Sequence, residues 1–302
     1  MSAAYPAVSS LSAAPASPAP APVGIFDSGV GGLSVLRAVR ECLPHESLIY
    51  CADTLYAPYG PRDDRYIAAR TLAVCDWLLE QGAKAIVVAC NTATAQTIHL
   101  VRERLKVPLI GVEPGIKPAA LSSKSGVAGV LATAATLRSD KFQKLLAEYS
   151  PQCRFICSAG HGLVEAIEAG DTHSPKVAAL LASYLEPMLE AGADTLVLGC
   201  THYPFLRALI EALSQGRLAL IDTGVAIARQ LERQLTQHGL HADADAKAAM
   251  PPQFRLCSTG DGALLARLAQ QLLGLALPVS RVEIVSAAYD QPPYSAILSQ
   301  IR

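Results

Sequence analysis

Gly82-Ala-Lys-Ala-Ile-Val-Val-Ala-Cys90-Asn91-Thr92 is echoed 110 positions later by Gly192-Ala-Asp-Thr-Leu-Val-Leu-Gly-Cys200-Thr201-His202. Both stretches open on Gly-Ala, run through apolar residues, and end on a cysteine followed by polar groups. A short apolar run bounded by turn signals predicts a strand buried on both faces, as in a parallel sheet. Each cysteine then stands at the carboxyl end of its strand, where open α/β sheets bind ligands. A helix is expected after each. Asn91 to Leu105 has a polar start and a basic last turn that suits the helix dipole, and Thr201 to Leu213 carries Pro204 in its first turn. A thiol near a helix N-terminus has a lowered pKa and more thiolate character. A lone cysteine after an apolar run is ordinarily core. Repetition of the whole stretch, with polar residues after both thiols, instead suggests a pair acting on one substrate.

The rest of the chain fits alternating strands and helices. Hydrophobic residues make up 51% and aromatics 5%, so the core must be aliphatic. With 302 residues there is room for two domains of ordinary size. The formal net charge of −1 gives no general electrostatic footprint for nucleic acid. None of the eight cysteines forms a CxxC pair, which argues against a structural zinc site, and scattered thiols in a chain this size suggest a reducing compartment. No apolar run is long enough to span a membrane. Ser2 to Pro22 is mainly Ala, Pro and Ser, without a basic or continuous apolar stretch, so it predicts a disordered extension rather than a secretion signal.

From Val23 the chain predicts a strand, the turn Asp27-Ser28-Gly29-Val30-Gly31-Gly32, and a helix from Leu33. Such a turn lets backbone N–H groups approach an anion. It does not match G-x-G-x-x-G, so a dinucleotide is not indicated. Asp27 either faces a pocket or caps the turn. Ser47 to Asp53 reads as the next strand, followed by a stiff loop around Pro58, Tyr59 and Gly60 and a helix from Arg65 to Gln81. A strand ending at Val112 leads to Glu113-Pro114-Gly115, a boundary between halves. In the second half, Gly126 to Leu131 is a strand, and Thr133 and Thr136 either bind a carboxylate or cap a helix. Further expected elements are a strand at Arg154 to Cys157, a short amphipathic piece from Leu163 to Gly170, and a helix from Val177 to Ala191. Arg217 to Asp222 reads as the last clear strand, with a helix from Val225 to Leu235. His238 to Pro252 reads as an exposed connection, and Leu264 to Leu273 as a helix. His99, His161, His173, His238 and His241 have no ligand-like spacing and read as structural or solvated.

Two thiols on facing halves suit proton transfer on both faces of one carbon. Inverting a stereocentre needs a base on each face, and a thiol's pKa is close enough to neutrality to be tuned for the task. Asp27 can serve Cys90, and His202 can serve Cys200. Ser, Thr, Asn and backbone N–H groups of the same turns can hold the substrate's charges.

The set Asp27-Ser28-Gly29, Pro58-Tyr59-Gly60, Cys90-Asn91-Thr92, Thr133 with Thr136, and Cys200-Thr201-His202 closely resembles the glutamate racemases of the aspartate/glutamate racemase superfamily. The resemblance runs from about Val23 to about Gly274. Aspartate and hydantoin racemases share the two-thiol pattern, whereas a one-cysteine decarboxylase does not. The resemblance implies an α/β fold of two pseudosymmetric parallel-sheet domains with the active site between them, 23–114 plus 222–302 and 115–221, preceded by the extension 1–22. It implies an isomerase that interconverts L- and D-glutamate without a cofactor or metal, in the cytoplasm, supplying D-glutamate for peptidoglycan and so for cell shape. Carried over by position, Cys90 would deprotonate the D isomer and Cys200 the L isomer, with Asp27, His202 and Glu165 assisting. Asp27, Ser28, Pro58, Tyr59, Gly60, Asn91, Thr92, Thr133, Thr136, Thr201 and His202 would bind the amino acid. A homodimer and DNA gyrase are the partners that the resemblance brings; no residue here specifies either.

Overall fold

The computed structural model describes residues 21–242 and 251–286. The Ala/Pro/Ser-rich stretch, apart from Ala21 and Pro22, lies outside the described residues, as do 243–250 of the connection and the tail from 287.

The chain opens with β1 (Val23–Asp27), α1 (Leu33–Cys42), β2 (Leu48–Ala52), α2 (Asp64–Glu80), β3 (Ala85–Val88), α3 (Asn91–Arg104) and β4 (Leu109–Gly111). After α4 (Ile116–Ser122) the alternation restarts with β5 (Val127–Ala132), α5 (Ala134–Arg138), α6 (Asp140–Tyr149) and β6 (Arg154–Ala159). Next come α7 (Leu163–Glu168), α8 (Pro175–Glu190), β7 (Thr195–Gly199), α9 (Arg207–Ser214) and β8 (Ala219–Ile221). The described chain closes with α10 (Gly224–Gln237), β9 (Phe254–Ser258), α11 (Ala263–Leu273) and β10 (Val279–Arg281).

Two parallel sheets result, one ordered β10-β9-β2-β1-β3-β4 and the other β6-β5-β7-β8. The run β2-β1-β3-β4 is the same as β6-β5-β7-β8, so β1 corresponds to β5 and β3 to β7. The repeated cysteine stretch is one visible trace of that correspondence. In each sheet the strand order reverses at the central pair, β1/β3 and β5/β7, and a crevice opens at their carboxyl ends. Asp27 and Cys90 leave the first pair there; Thr133 and Cys200 leave the second. β1, β2, β3 and β7 are buried along their whole length, as the unbroken apolar runs require.

Three expectations need correction. Arg217 to Asp222 does not hold the last strand, since β9 and β10 add to the outer edge of β2. Phe254-Arg-Leu-Cys-Ser258 mixes an exposed Arg255 with buried Leu256 and Cys257, and β10 has only three residues, so neither makes a strong periodic signal. The second cysteine stretch does not pass straight into an α-helix: a 3-10 turn at Tyr203–Leu206, with Pro204 in its opening turn, precedes α9. A helix at Ile116–Ser122 follows the Glu113-Pro114-Gly115 boundary, where none was foreseen. Among the described residues no helix is long and apolar enough to cross a membrane.

Candidate active site

A cavity of about 200 Å³ lies between the carboxyl ends of the two sheets. Cys90 and Cys200 both line it, with 4% and 6% of their surfaces exposed. Ser28, Pro58, Tyr59, Gly60, Asn91, Thr92, Thr133, Glu165, Thr201 and His202 complete most of the wall. Residues from six separate turns therefore converge on one space, and both thiols are reachable from it.

Cys90 caps α3: its sulfur accepts the Ala93 N–H at 3.5 Å. Its thiol points to Ser28 Oγ at 3.6 Å, and Ser28 donates in turn to Asp27 Oδ1 at 3.3 Å. Asp27 thus reaches Cys90 through Ser28. The helix start does not win here. Burial, helped by the nearby Asp27 carboxylate, pushes the Cys90 thiol up to about 12, against the amide of Ala93 and the hydroxyl of Ser28. The low pKa expected from helix capping alone is overturned for this thiol, because a sulfur sealed from water cannot spread its charge into solvent. Cys90 rests as a thiol, a proton donor.

Cys200 is built differently. His202 Nδ1 lies 3.7 Å from its sulfur, and His202 Nε2 meets Glu168 Oε1 at 2.5 Å. Burial works against charge on His202, yet the hydrogen bonds to Cys200 and Glu168 outweigh it and hold the imidazole well above its ordinary pKa. A cation therefore stands beside this thiol, where a carboxylate stands behind the other.

Glu168 is the residue bonded to His202 that the sequence reading missed. Glu165 and Glu168 sit three apart on α7, hence on one face. Glu165 lines the cavity, but Glu168 makes the bond to His202. The signal available was the turn at Asp27: Glu168 Oε1 also takes the Val30 N–H at 2.8 Å. The anion that the glycine-rich turn approaches is the protein's own. Gly31 completes this closure, since a Cβ there would meet Thr201 Oγ1 at 2.6 Å and His202 Cε1 at 2.7 Å.

Two expected contact residues stand one layer back from the wall. Asp27 lies behind Ser28, fully buried, with the Gly29 N–H on Oδ1 at 2.9 Å. Thr136 lies behind Thr133, joined to it at 2.9 Å, while Thr133 also reaches Thr92 at 2.9 Å and receives the Thr136 N–H at 3.2 Å. Thr133 is both helix cap and wall. The amide Nδ2 of Asn91, a cavity residue, is buried without a hydrogen-bond partner, a donor free for a ligand. His161, read above as structural or solvated, lines the cavity with Arg138.

Burial raises the Asp27 carboxyl, and His202 only partly offsets it. A carboxyl raised in the fold costs stability once ionised. The cost is absent below the unfolded pKa near 3.8 and is complete above the raised folded value. Asp27→Asn keeps the Oδ1 acceptor and removes the charge. It should raise the melting temperature at about pH 8 by about 3 °C, roughly 1 kcal/mol in a domain of this size, while lowering turnover. Calorimetry between about pH 4 and 8 should show the gain fading on acidification; a pH-independent gain would contradict it.

A sequence model of the Asp/Glu/Hydantoin racemase family matches residues 33–231. The chain belongs to that family. A glutamate racemase from Ralstonia nicotianae is 57% identical over 278 residues, 92% of this chain and 98% of that enzyme. Among solved structures, glutamate racemase isoform RacE1 from Bacillus anthracis superposes with a TM-score of 0.76 at 31% identity, covering 87% of this chain and 97% of that one. Escherichia coli glutamate racemase, solved with L-glutamate and the activator UDP-MurNAc-ala, gives a TM-score of 0.75 at 32% identity, over 88% of this chain and 100% of that one.

Proposed function

We propose that this protein is a cofactor-independent, two-base glutamate racemase that supplies D-glutamate for peptidoglycan. The observation that carries the reading is the cavity wall itself. Equivalent strands of two like-ordered sheets each deliver a thiol to one space, and each thiol has its own polar partner. In the L-to-D direction, Cys200 takes the α-proton of L-glutamate and Cys90, resting as a thiol, returns a proton to the opposite face. The D-to-L direction starts from the opposite protonation of the pair. His202, held by Glu168, balances charge at Cys200; Ser28 links Cys90 to Asp27. Asn91 Nδ2 and the hydroxyls of Thr92, Thr133 and Thr201 are the donors available to carboxylates. The two sheets are the cores of two units, 23–114 with 222 onward and 115–221, whose separation would admit substrate. The enzyme works in the cytoplasm, where thiols stay reduced.

Circular dichroism of the purified protein with L-glutamate should show the signal decaying to zero, and with L-aspartate should show little change. Decay with aspartate alone would replace the substrate assignment, and no decay with either would refute it.

A further inference from the structure

Tyr59 stands in the cavity wall, but its hydroxyl does not face the cavity as a free group: it donates to Asp53 Oδ2 at 2.5 Å. Asp53 is fully committed. Arg70 Nε reaches Oδ2 at 2.9 Å and Arg70 Nη2 reaches Oδ1 at 2.7 Å, a two-pronged pair. The third arm, Arg70 Nη1, donates to the carbonyl of Ile284 at 2.7 Å, and the guanidinium carbon lies 3.5 Å from the Tyr56 ring centroid. The Asp53 and Arg70 side chains are 0% and 1% exposed. Through the backbone, Asp53 N–H donates to the Asp27 carbonyl at 2.9 Å and the Asp53 carbonyl accepts from Tyr56 N–H at 2.9 Å.

Four stretches of chain meet at this pair: the Asp27 turn, the Pro58-Tyr59-Gly60 loop, α2 and the segment after β10. A buried ion pair is a poor source of stability, since well-packed apolar side chains often do as well. Its use lies in direction, because a planar fork fixes its partner's orientation where a point charge would not. Neither Asp53 nor Arg70 lines the cavity.

We infer that Asp53 and Arg70 are positioning residues for substrate binding: the forked pair holds the Tyr59 phenol, and with it the Pro58-Tyr59-Gly60 wall, in register with the Asp27 turn. This rests on the reading of the cavity as the substrate site. Tyr59 then acts on glutamate through the loop it anchors, while its hydroxyl serves Asp53. The segment around Ile284, far along the chain from both thiols, belongs to the same support.

The test is a double-mutant cycle of Tyr59→Phe and Arg70→Lys, with KM and kcat for glutamate and the melting temperature measured for each. Tyr59→Phe removes only the anchoring hydroxyl, and Arg70→Lys keeps the buried charge but loses the fork. Each single variant should raise KM about tenfold with kcat within about threefold, the pattern of lost uniform binding. The double variant should resemble the worse single one, because both break the same chain of contacts. Glutamate should also raise the melting temperature of each variant less than that of the wild type at equal concentration. A drop in melting temperature with unchanged KM would make the pair merely structural and overturn the inference, as would fully additive KM effects. If Arg70→Lys fails to fold, Tyr59→Phe alone decides: an unchanged KM overturns the inference. Cys90→Ser separates the two readings. Wild-type racemisation in that variant sinks the cavity assignment itself, whereas its loss alongside an unchanged KM in Tyr59→Phe sinks only the positioning role.

Discussion

Cys90→Ser and Cys200→Ser should each lower racemisation of glutamate by about 10² to 10⁴-fold, the loss expected when an essential general acid–base group is removed. Serine nearly keeps the shape and remains a weak hydrogen-bonding group, but it is a far weaker acid, so the proton cannot leave or arrive on that face. The two thiols line one cavity, are both almost sealed from solvent, and sit in different electrostatic settings. Their roles should therefore separate. An amino acid with a leaving group on the β-carbon needs only one abstraction: the α-proton goes to sulfur, its electron pair forms the Cα–Cβ double bond, and the leaving group departs with its own pair. Cys90→Ser should still eliminate from the L analogue, through Cys200, and Cys200→Ser from the D analogue, through Cys90. Near-normal racemisation in either variant would make that cysteine core packing. Loss of elimination from both isomers in both variants would show that the thiols act as a unit.

Glu168→Gln should lower kcat by about 10²-fold while leaving the fold intact. The carboxylate is one of two hydrogen-bonding partners that keep His202 charged against its burial. Glutamine can still accept from the imidazole and from the Val30 N–H, so the geometry survives while the charge goes. The His202 pKa, followed by NMR of the labelled ring, should fall. The linked stability should change with it. A histidine raised in the fold stabilises fully below its unfolded value near 6.5 and loses that contribution as pH rises through the folded value. Wild-type stability should therefore decline between those two values, and the variant's decline, starting from the same unfolded value, should be smaller and end at lower pH. An unchanged His202 pKa would show that Cys200, rather than Glu168, holds the charge. The same substitution at Glu165 serves as a control, because that carboxylate lines the cavity without bonding to His202.

Most of the plan was legible along the chain because parallel strands buried on both faces need unbroken apolar runs. Ala85–Val88 and Thr195–Gly199 announced themselves that way, and their repetition gave the correspondence of halves before any coordinate did. The turns after those strands place Cys90 and Cys200 by their own residue types, and the turns after β1 and β5 supply Asp27 and Thr133; Ser28, Asn91, Thr92 and Thr201 were named only through the resemblance to the racemases. The two strands added beyond β2, β9 and β10, were not legible. Phe254–Ser258 is held by its neighbours β2 and β10, and its exposed Arg255 and half-buried Phe254 break the apolar run.

What the tertiary structure alone decided is electrostatic and long-range. Glu165 and Glu168 are equivalent by sequence, and only the approach of Gly29 to Gly31 from the other half selects Glu168 as the partner of His202. A helix start lowers a thiol's pKa, but how much water is excluded around Cys90 depends on packing from both sheets, and there burial prevails. The pairing of Arg70 with Asp53 and with the carbonyl of Ile284 joins positions up to 231 apart in the chain, from Asp53 to Ile284, and no local pattern records it. Sequence by itself determined which chemical groups this protein has and at which strand ends they sit, because strand periodicity and turn chemistry are local. Which of those groups carry charge, and which touch one another, was decided by the fold, because desolvation and Coulomb interactions depend on distances through space rather than along the chain.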